Sequence, residues 1–308
     1  MTAFKKPLCG ILAFILVFVF VAATPISVFA EDEVVTISAK EIELNKETED
    51  GYEFIKVEAG SAVELIKYVG DETEVKVPTK LGGLSVITVG EGCFEGNKNV
   101  VSIKLNSEIV TVKDRAFKDC TALKEVKKTE SLTSLGASAF EGCTALEEFE
   151  YPESVTAVPE KCFAGCTALA KLSLGAVEEI EQYAFSGCSA LKEITLPATV
   201  TVCDVLAFTG CTGLENILVA EGSATYKSLD GVVLAANEEG EFNTIAIYPA
   251  GKAGEYAVPA EFKNIADKAF YDCDALKAVQ LSDDLHTIAG SAFESCDVLD
   301  SISLPKTL

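Results

Sequence analysis

Tryptophan is absent from the 308-residue chain, methionine occurs once as Met1, and histidine occurs once as His286. A single imidazole removes every mechanism that needs two, including most hydrolytic zinc sites. Basic residues are scarce, 25 Lys and Arg against 48 Asp and Glu, for a formal net charge of −23. Nucleic-acid phosphates and anionic membrane surfaces repel such a chain. Apolar residues, by contrast, make up 49% of the total, enough for a sizeable core and too many for a disordered acidic tail. Cysteine is also plentiful, at 11.

The first thirty residues read as an address. Lys5 and Lys6 precede the apolar run Leu8 to Ala23, Pro25 breaks it, and Val28-Phe29-Ala30 places compact residues before a cleavage point. The pattern predicts a signal peptide over 1–30, cut after Ala30. The run is shorter than the ~20 residues a spanning helix needs, and Cys9 precedes it, unlike a lipoprotein cysteine. No second apolar stretch of spanning length follows. Cleavage removes two lysines and no acids, bringing the net charge to −25. The expected product is secreted or extracellular, with cell-surface association open and no membrane span.

A repeat governs the remainder. Ala-Phe-x-x-Cys recurs at Phe117, Phe140, Phe185, Phe208, Phe270 and Phe293, and two further copies at Phe94 and Phe163 carry Cys93 and Cys162 in place of Ala. Successive phenylalanines lie 23, 23, 23, 22, 23, 62 and 23 residues apart, so one coil takes 23 residues and the 62 reads as 23 plus an insertion of 39. The full unit is Leu-x-x-Ile-x-Leu-Pro-x-x-Val-x-x-Ile-x-x-x-Ala-Phe-x-x-Cys, clearest at Leu191, Ile194, Leu196, Pro197, Val200, Ala207, Phe208 and Cys211. Ile-x-Leu alternates as a strand with one buried face does, and proline ends it because it cannot donate to a ladder. The Val-x-x-Ile spacing before Ala-Phe predicts a tight turn or short 3₁₀ segment on the opposite side. No unit has room for a long helix. One coil cannot bury its apolar face alone, whereas a stack can. The fold class is therefore a mainly β repeat solenoid.

This unit resembles the BspA-type leucine-rich repeat family of bacterial surface proteins, over about residues 52–308. The resemblance implies a right-handed leucine-rich stack and, typically, display outside the cell for adhesion or host-protein contact. The segment from Tyr226 through Ile247-Tyr248-Pro249-Ala250-Gly251-Lys252 to Pro259 is similar to an insertion common in that family. Its residues predict a β-hairpin, with Asp230-Gly231 and Glu238-Glu239-Gly240-Glu241 as turns. The expected layout is a signal peptide (1–30), an acidic leader (31–51) that is either irregular or an extra edge strand such as Val34 to Ile37, cap strands (52–85) and a solenoid (86–308) with the hairpin at about 218–260. The sequence stops within a coil at Leu308, which reads as a truncated product or fragment.

Each chemical candidate has a plainer structural explanation. Cys120, Cys143, Cys166, Cys188, Cys211, Cys273 and Cys296 share one repeat position. Export and a rung spacing of about 4.8 Å offer disulfides as the alternative, but a uniform column has no designated pairs, so free buried thiols are expected, each donating weakly to neighbouring loop backbone. Asn97 occupies that position in the first copy and is expected to do the same. Cys-x-x-Cys is absent, no metal or cofactor is expected, and His286 falls at an outward position. Leu304-Pro-Lys-Thr-Leu308 nearly matches a sortase motif but is a repeat element, in phase with Leu196-Pro-Ala-Thr-Val200. No catalytic constellation appears, and the protein is not expected to be an enzyme.

The informative surface is the middle residue of each Ile-x-Leu: Lys104, Lys127, Glu150, Ser173, Thr195, Leu218, Gln280 and Ser303. Unlike side chains on a regular scaffold suit recognition of an extended partner, foremost an extracellular protein, from the host or a cell surface. The second reading is a carbohydrate-binding or accessory module of a larger secreted protein. Exposed aromatics would favour it, with Tyr151, Tyr226, Tyr248 and Tyr256 as the candidates.

Overall fold

The computed structural model describes residues 26–30, 33–37, 45–57, 60–127 and 130–305. Most of the predicted signal peptide, and the last three residues of the near-sortase motif, lie outside the described residues. The chain divides into two units, Met1–Lys46 and Glu47–Leu308. In the first, Ile26–Ala30 pairs antiparallel with Glu33–Ile37, which supplies the strand alternative near Val34.

In the second unit, a repeating residue pattern becomes two parallel ladders. The Ile-x-Leu segments form strands such as Ser102–Lys104, which pairs in register with Glu74–Lys76 on one side and Glu125–Lys127 on the other. Glu148–Glu150 pairs with Lys171–Ser173, and Glu193–Leu196 with Asn216–Val219. Gly254–Ala257, Leu276–Gln280 and Ser301–Ser303 complete this face. On the other side, where the repeat predicts only a turn or 3₁₀ segment, most coils contribute a second, two-residue strand. Thr111–Val112 with Ser134–Leu135, and Glu179–Ile180 with Val202–Cys203, are examples. β-Branched residues at these positions take extended backbone readily, and stacking at strand spacing turns each short piece into a rung. A 3₁₀ turn does form at Val205–Phe208, where the Asp204 carboxylate accepts from the Leu206 amide at 2.8 Å. No residue of the described coils is α-helical.

The core is a column of rings. Centroids of Phe94, Phe117, Phe140, Phe163, Phe185 and Phe208 follow one another at 5.2, 5.2, 5.3, 5.8 and 5.6 Å. Except at Phe208, where the 3₁₀ turn leads in, the turn that inserts each ring has left-handed backbone on either side of it. Around Phe163 these are Lys161 (φ 55°) and Gly165 (φ 74°). Glycine takes that conformation without steric cost, which accounts for Gly142, Gly165, Gly187 and Gly210 at the second position.

Tyr68 stacks on Phe94 at 4.9 Å and closes the column at its first end. It belongs to a capping meander, Glu47–Glu49, Tyr52–Val57 and Ala62–Tyr68, whose last strand joins the second ladder beside Leu84–Val89. The cap sheet thus begins within the stretch read from sequence as an acidic leader. Asp50-Gly51, both with positive φ, make its first two-residue turn. The Tyr52 hydroxyl is buried with no hydrogen-bond partner among the described residues. An unmet buried donor costs about 1–3 kcal/mol, so Tyr52→Phe is expected to raise the urea midpoint. A lower midpoint would show that the hydroxyl has a stabilising partner.

A buried ion pair ties this cap to the coils. Glu64, on Ala62–Tyr68, is 2% exposed and accepts from the Lys113 ammonium at 2.8 and 2.9 Å. Burial raises its carboxyl pKa above the ordinary value, and Lys113 pulls it back down.

The insertion is larger than a hairpin. Tyr226–Leu229, Val232–Ala236 and Phe242–Ile247 form a three-stranded antiparallel sheet, turned at Asp230-Gly231 and across 237–241. Its third strand also pairs parallel with Asn264–Ile265. Tyr248 follows and stands at the phenylalanine position, 4.8 Å from Phe270. The 62-residue interval is therefore one oversize coil ending at Tyr248 and one of ordinary length, with tyrosine hiding the second anchor. Alternation along Val232–Ala236 divides the core: Val233 packs into the cluster built on the first six phenylalanines, Val232 and Leu234 into the one around Phe270. Across this junction the Gly210 amide donates to the Asp272 carboxylate at 2.5 Å.

Candidate binding face

Pairing register aligns one outward residue per coil within each of four strand groups: Lys76, Lys104 and Lys127; Glu150 and Ser173; Thr195 and Leu218; and Ala257, Gln280 and Ser303. Nine are exposed; Leu218 is half-buried. The inserted sheet crowds its strand, with the Ile217 amide donating to the Gly231 carbonyl at 2.9 Å and the Val219 amide to the Ser228 hydroxyl at 3.0 Å. Two members escaped the sequence pattern. Lys76 lies in Val75-Lys-Val77 and Ala257 in Tyr256-Ala-Val258, neither of which matches Ile-x-Leu. Valine before and after Lys76, followed by Pro78, was the available clue.

The row is not one continuous sheet. Among the described residues the ladder is interrupted between Lys171–Ser173 and Glu193–Leu196, between Asn216–Val219 and Gly254–Ala257, and between Glu125–Lys127 and Glu148–Glu150. Phe149 stands here, where other coils carry Val75, Ile103, Val126 or Leu172. Its ring is 5.1 Å from Phe140, 5.0 Å from Phe163 and 5.4 Å from Tyr151. This extra bulk coincides with the gap, a hollow of 590 Å³. The turns stay bonded throughout, as between the Phe117 amide and the Ala139 carbonyl at 2.8 Å.

None of the aromatic candidates for a sugar platform is exposed. Tyr151 and Tyr248 are buried, and Tyr226 and Tyr256 are half-buried. His286 is exposed. Among the described residues no cluster of three His, Cys, Asp or Glu could hold a metal ion. No helix among them is long and apolar enough to cross a membrane.

The cysteine column is structural. All ten described cysteines are free thiols. Cys120, Cys143, Cys166, Cys188 and Cys211 each aim Sγ at the carbonyl of the phenylalanine one coil back, at 3.0–3.2 Å. Asn97 does something else: its side-chain oxygen accepts from the Asn99 and Val100 amides, both at 2.9 Å, capping its own loop. An amide oxygen is a far better acceptor than sulfur, and the local donors take it. Burial pushes the Cys120, Cys162 and Cys211 thiols up to about 12. Cys296 is the exception, half-buried and lowered by a hydrogen bond from Cys273. The thiolate is the reactive form. Iodoacetamide at pH 8 should therefore alkylate Cys296 well before the others in the folded protein, as read by peptide mass spectrometry. Equal labelling across the column would contradict this burial pattern.

Comparison with known proteins bears on the whole stack. A profile of the BspA type leucine rich repeat region matches residues 87–215 and 248–308, in 6 copies. The unmatched interval holds the inserted sheet. The chain is similar to a leucine rich cell surface protein from Faecalibacterium prausnitzii, with 26% identity, 84% of this chain and 76% of that one covered, and a TM-score of 0.64. It is also similar to the pneumococcal vaccine antigen PcpA, with 25% identity, 85% and 71% coverage, and a TM-score of 0.71. A leucine-rich repeat protein from Bacteroides ovatus shares the fold at 20% identity, 85% and 89% coverage, and a TM-score of 0.52. Comparison with curated protein sequences gives no match.

Proposed function

Because the chain belongs to the BspA-type leucine-rich repeat family, we propose that it is a non-catalytic protein-binding module exported from a bacterial cell and used for adhesion. Its contact face is the ladder that carries Lys104, Lys127, Glu150, Ser173, Thr195, Gln280 and Ser303. The observation that carries this reading is the row itself: chemically unlike side chains, one per coil, exposed on one side of a packed stack. A rigid face of this kind recognises an extended surface without the ordering entropy that loops require. It does not converge on one reacting atom. The two relatives named as a cell surface protein and a vaccine antigen support an extracellular setting.

The purified domain should be screened against immobilised extracellular matrix proteins and, in parallel, a glycan array. At least one protein ligand is expected. Its binding should fall when Ser173, Thr195 and Gln280 are replaced together by arginine. Binding to glycans alone would establish the carbohydrate reading instead.

A further inference from the structure

One part of the face differs from the rest. Lys76, Lys104 and Lys127 stand directly opposite one another on three hydrogen-bonded strands. Adjacent strands lie about 4.8 Å apart, so three ammonium-bearing side chains rise from one short line. All three are exposed. Lys127 has Glu125 at 3.5 Å, while Lys76 and Lys104 have no carboxylate within ion-pair distance among the described residues. Like charges placed opposite on a sheet repel. They stand out in a chain of net charge −23, where carboxylates are available nearly everywhere else. Beyond Lys127 the row loses this character, passing to Glu150, Ser173 and Thr195.

From this register we infer that the lysine row is the recognition element for an acidic polypeptide segment, laid across the three strands along the stack. This deepens the protein-binding reading and rests on it. The surroundings select a polypeptide over a uniform polyanion. Two residues before the lysines on the same strands run Glu74, Ser102 and Glu125. Past Lys76, an 880 Å³ hollow is lined by Asp50, Asp71, Glu72 and Glu74. A densely sulfated chain would meet these carboxylates wherever it strayed from the row. An extended peptide can place its acids on one side, at alternate residues, and present neutral or basic residues to the flanks.

The test uses fluorescence anisotropy with a fluorescein-labelled (Glu-Ala)5 peptide and, as competitor, a heparin decasaccharide. The full exported chain should bind the peptide, with affinity falling as salt rises, since exposed charges are screened. The triple substitution Lys76→Glu, Lys104→Glu and Lys127→Glu should weaken binding at least about tenfold, at roughly one decade per 1.4 kcal/mol. The milder Lys→Gln triple should fall between, and an unchanged far-ultraviolet spectrum guards against misfolding. Peptide binding that is absent, or indifferent to both triples, overturns the lysine row. Heparin binding in preference to the peptide does so too. The wider proposal fails on a different result: a protein ligand from the screen that is lost neither in the lysine triple nor in the Ser173, Thr195 and Gln280 arginine triple.

Discussion

Phe163→Ala is expected to remove about 3–5 kcal/mol of stability, the range for truncating a fully buried ring. Phe163 has no exposed surface. Its ring lies against Phe140, Phe185, Phe149 and Tyr151, so four aromatic neighbours lose a partner together. Collapse cannot heal the void readily, because the turn that inserts the ring is bonded to the coils on both sides. The Phe163 amide donates to the Ala184 carbonyl at 2.8 Å, and the Phe140 amide to the Cys162 carbonyl at 2.8 Å. Phe163→Leu keeps most of the volume and should cost less, about 1.5 kcal/mol. Urea titration monitored by circular dichroism reads both. A loss below about 1 kcal/mol for the alanine variant would mean that the column is not the main support of these coils.

Lys113→Met should be comparably severe, and for an electrostatic reason. Removing one partner of a fully buried pair leaves an uncompensated charge and costs about 3–5 kcal/mol, and the lower end applies here because the Lys113 side chain is 21% exposed. Here the stranded group is Glu64, which joins the cap meander to the coils. Its dependence on pH identifies the cause. Burial raises the folded-state pKa of Glu64 above its unfolded value, with Lys113 the main opposing influence. A carboxyl with a raised folded pKa holds its proton longer in the native state, so stability declines as pH rises from the unfolded pKa through the folded one. Without Lys113 the folded pKa climbs further. The penalty in Lys113→Met should therefore be full at neutral pH and shrink toward pH 4, where Glu64 is protonated. Replacing both residues with methionine should recover most of the loss. A penalty independent of pH would assign the effect to packing of the lysine stem.

Much of this architecture was legible because stacking repeats the same demand every coil. Phenylalanine spacing gave the coil length, and cysteine phase gave a column of thiols whose donors meet backbone carbonyls. Legibility failed where one residue stood in for another of similar shape. Tyr248 took the place of a phenylalanine and concealed a coil, and Lys76 sat between valines instead of isoleucine and leucine. The second ladder was missed for a different reason. Two-residue strands are too short to show alternation, and only repetition in space makes them strands. Phe149 was visible as a residue, but the interruption beside it depends on how much volume its neighbours already fill.

The partition at Val232–Ala236 has a mechanical meaning. One strand serves two cores, Val233 facing one way and Val232 and Leu234 the other, so the inserted sheet acts as a bulkhead. In a plain stack each coil depends on its neighbour, and fraying at one end can travel along the rod. Here a tear that starts among the last coils meets a wall braced by antiparallel backbone bonds and by the Asp272–Gly210 clasp. Unfolding of the far segment would release roughly 80 Å of chain for each 23-residue coil. The lysine row lies on the other core, the one that Val233 joins.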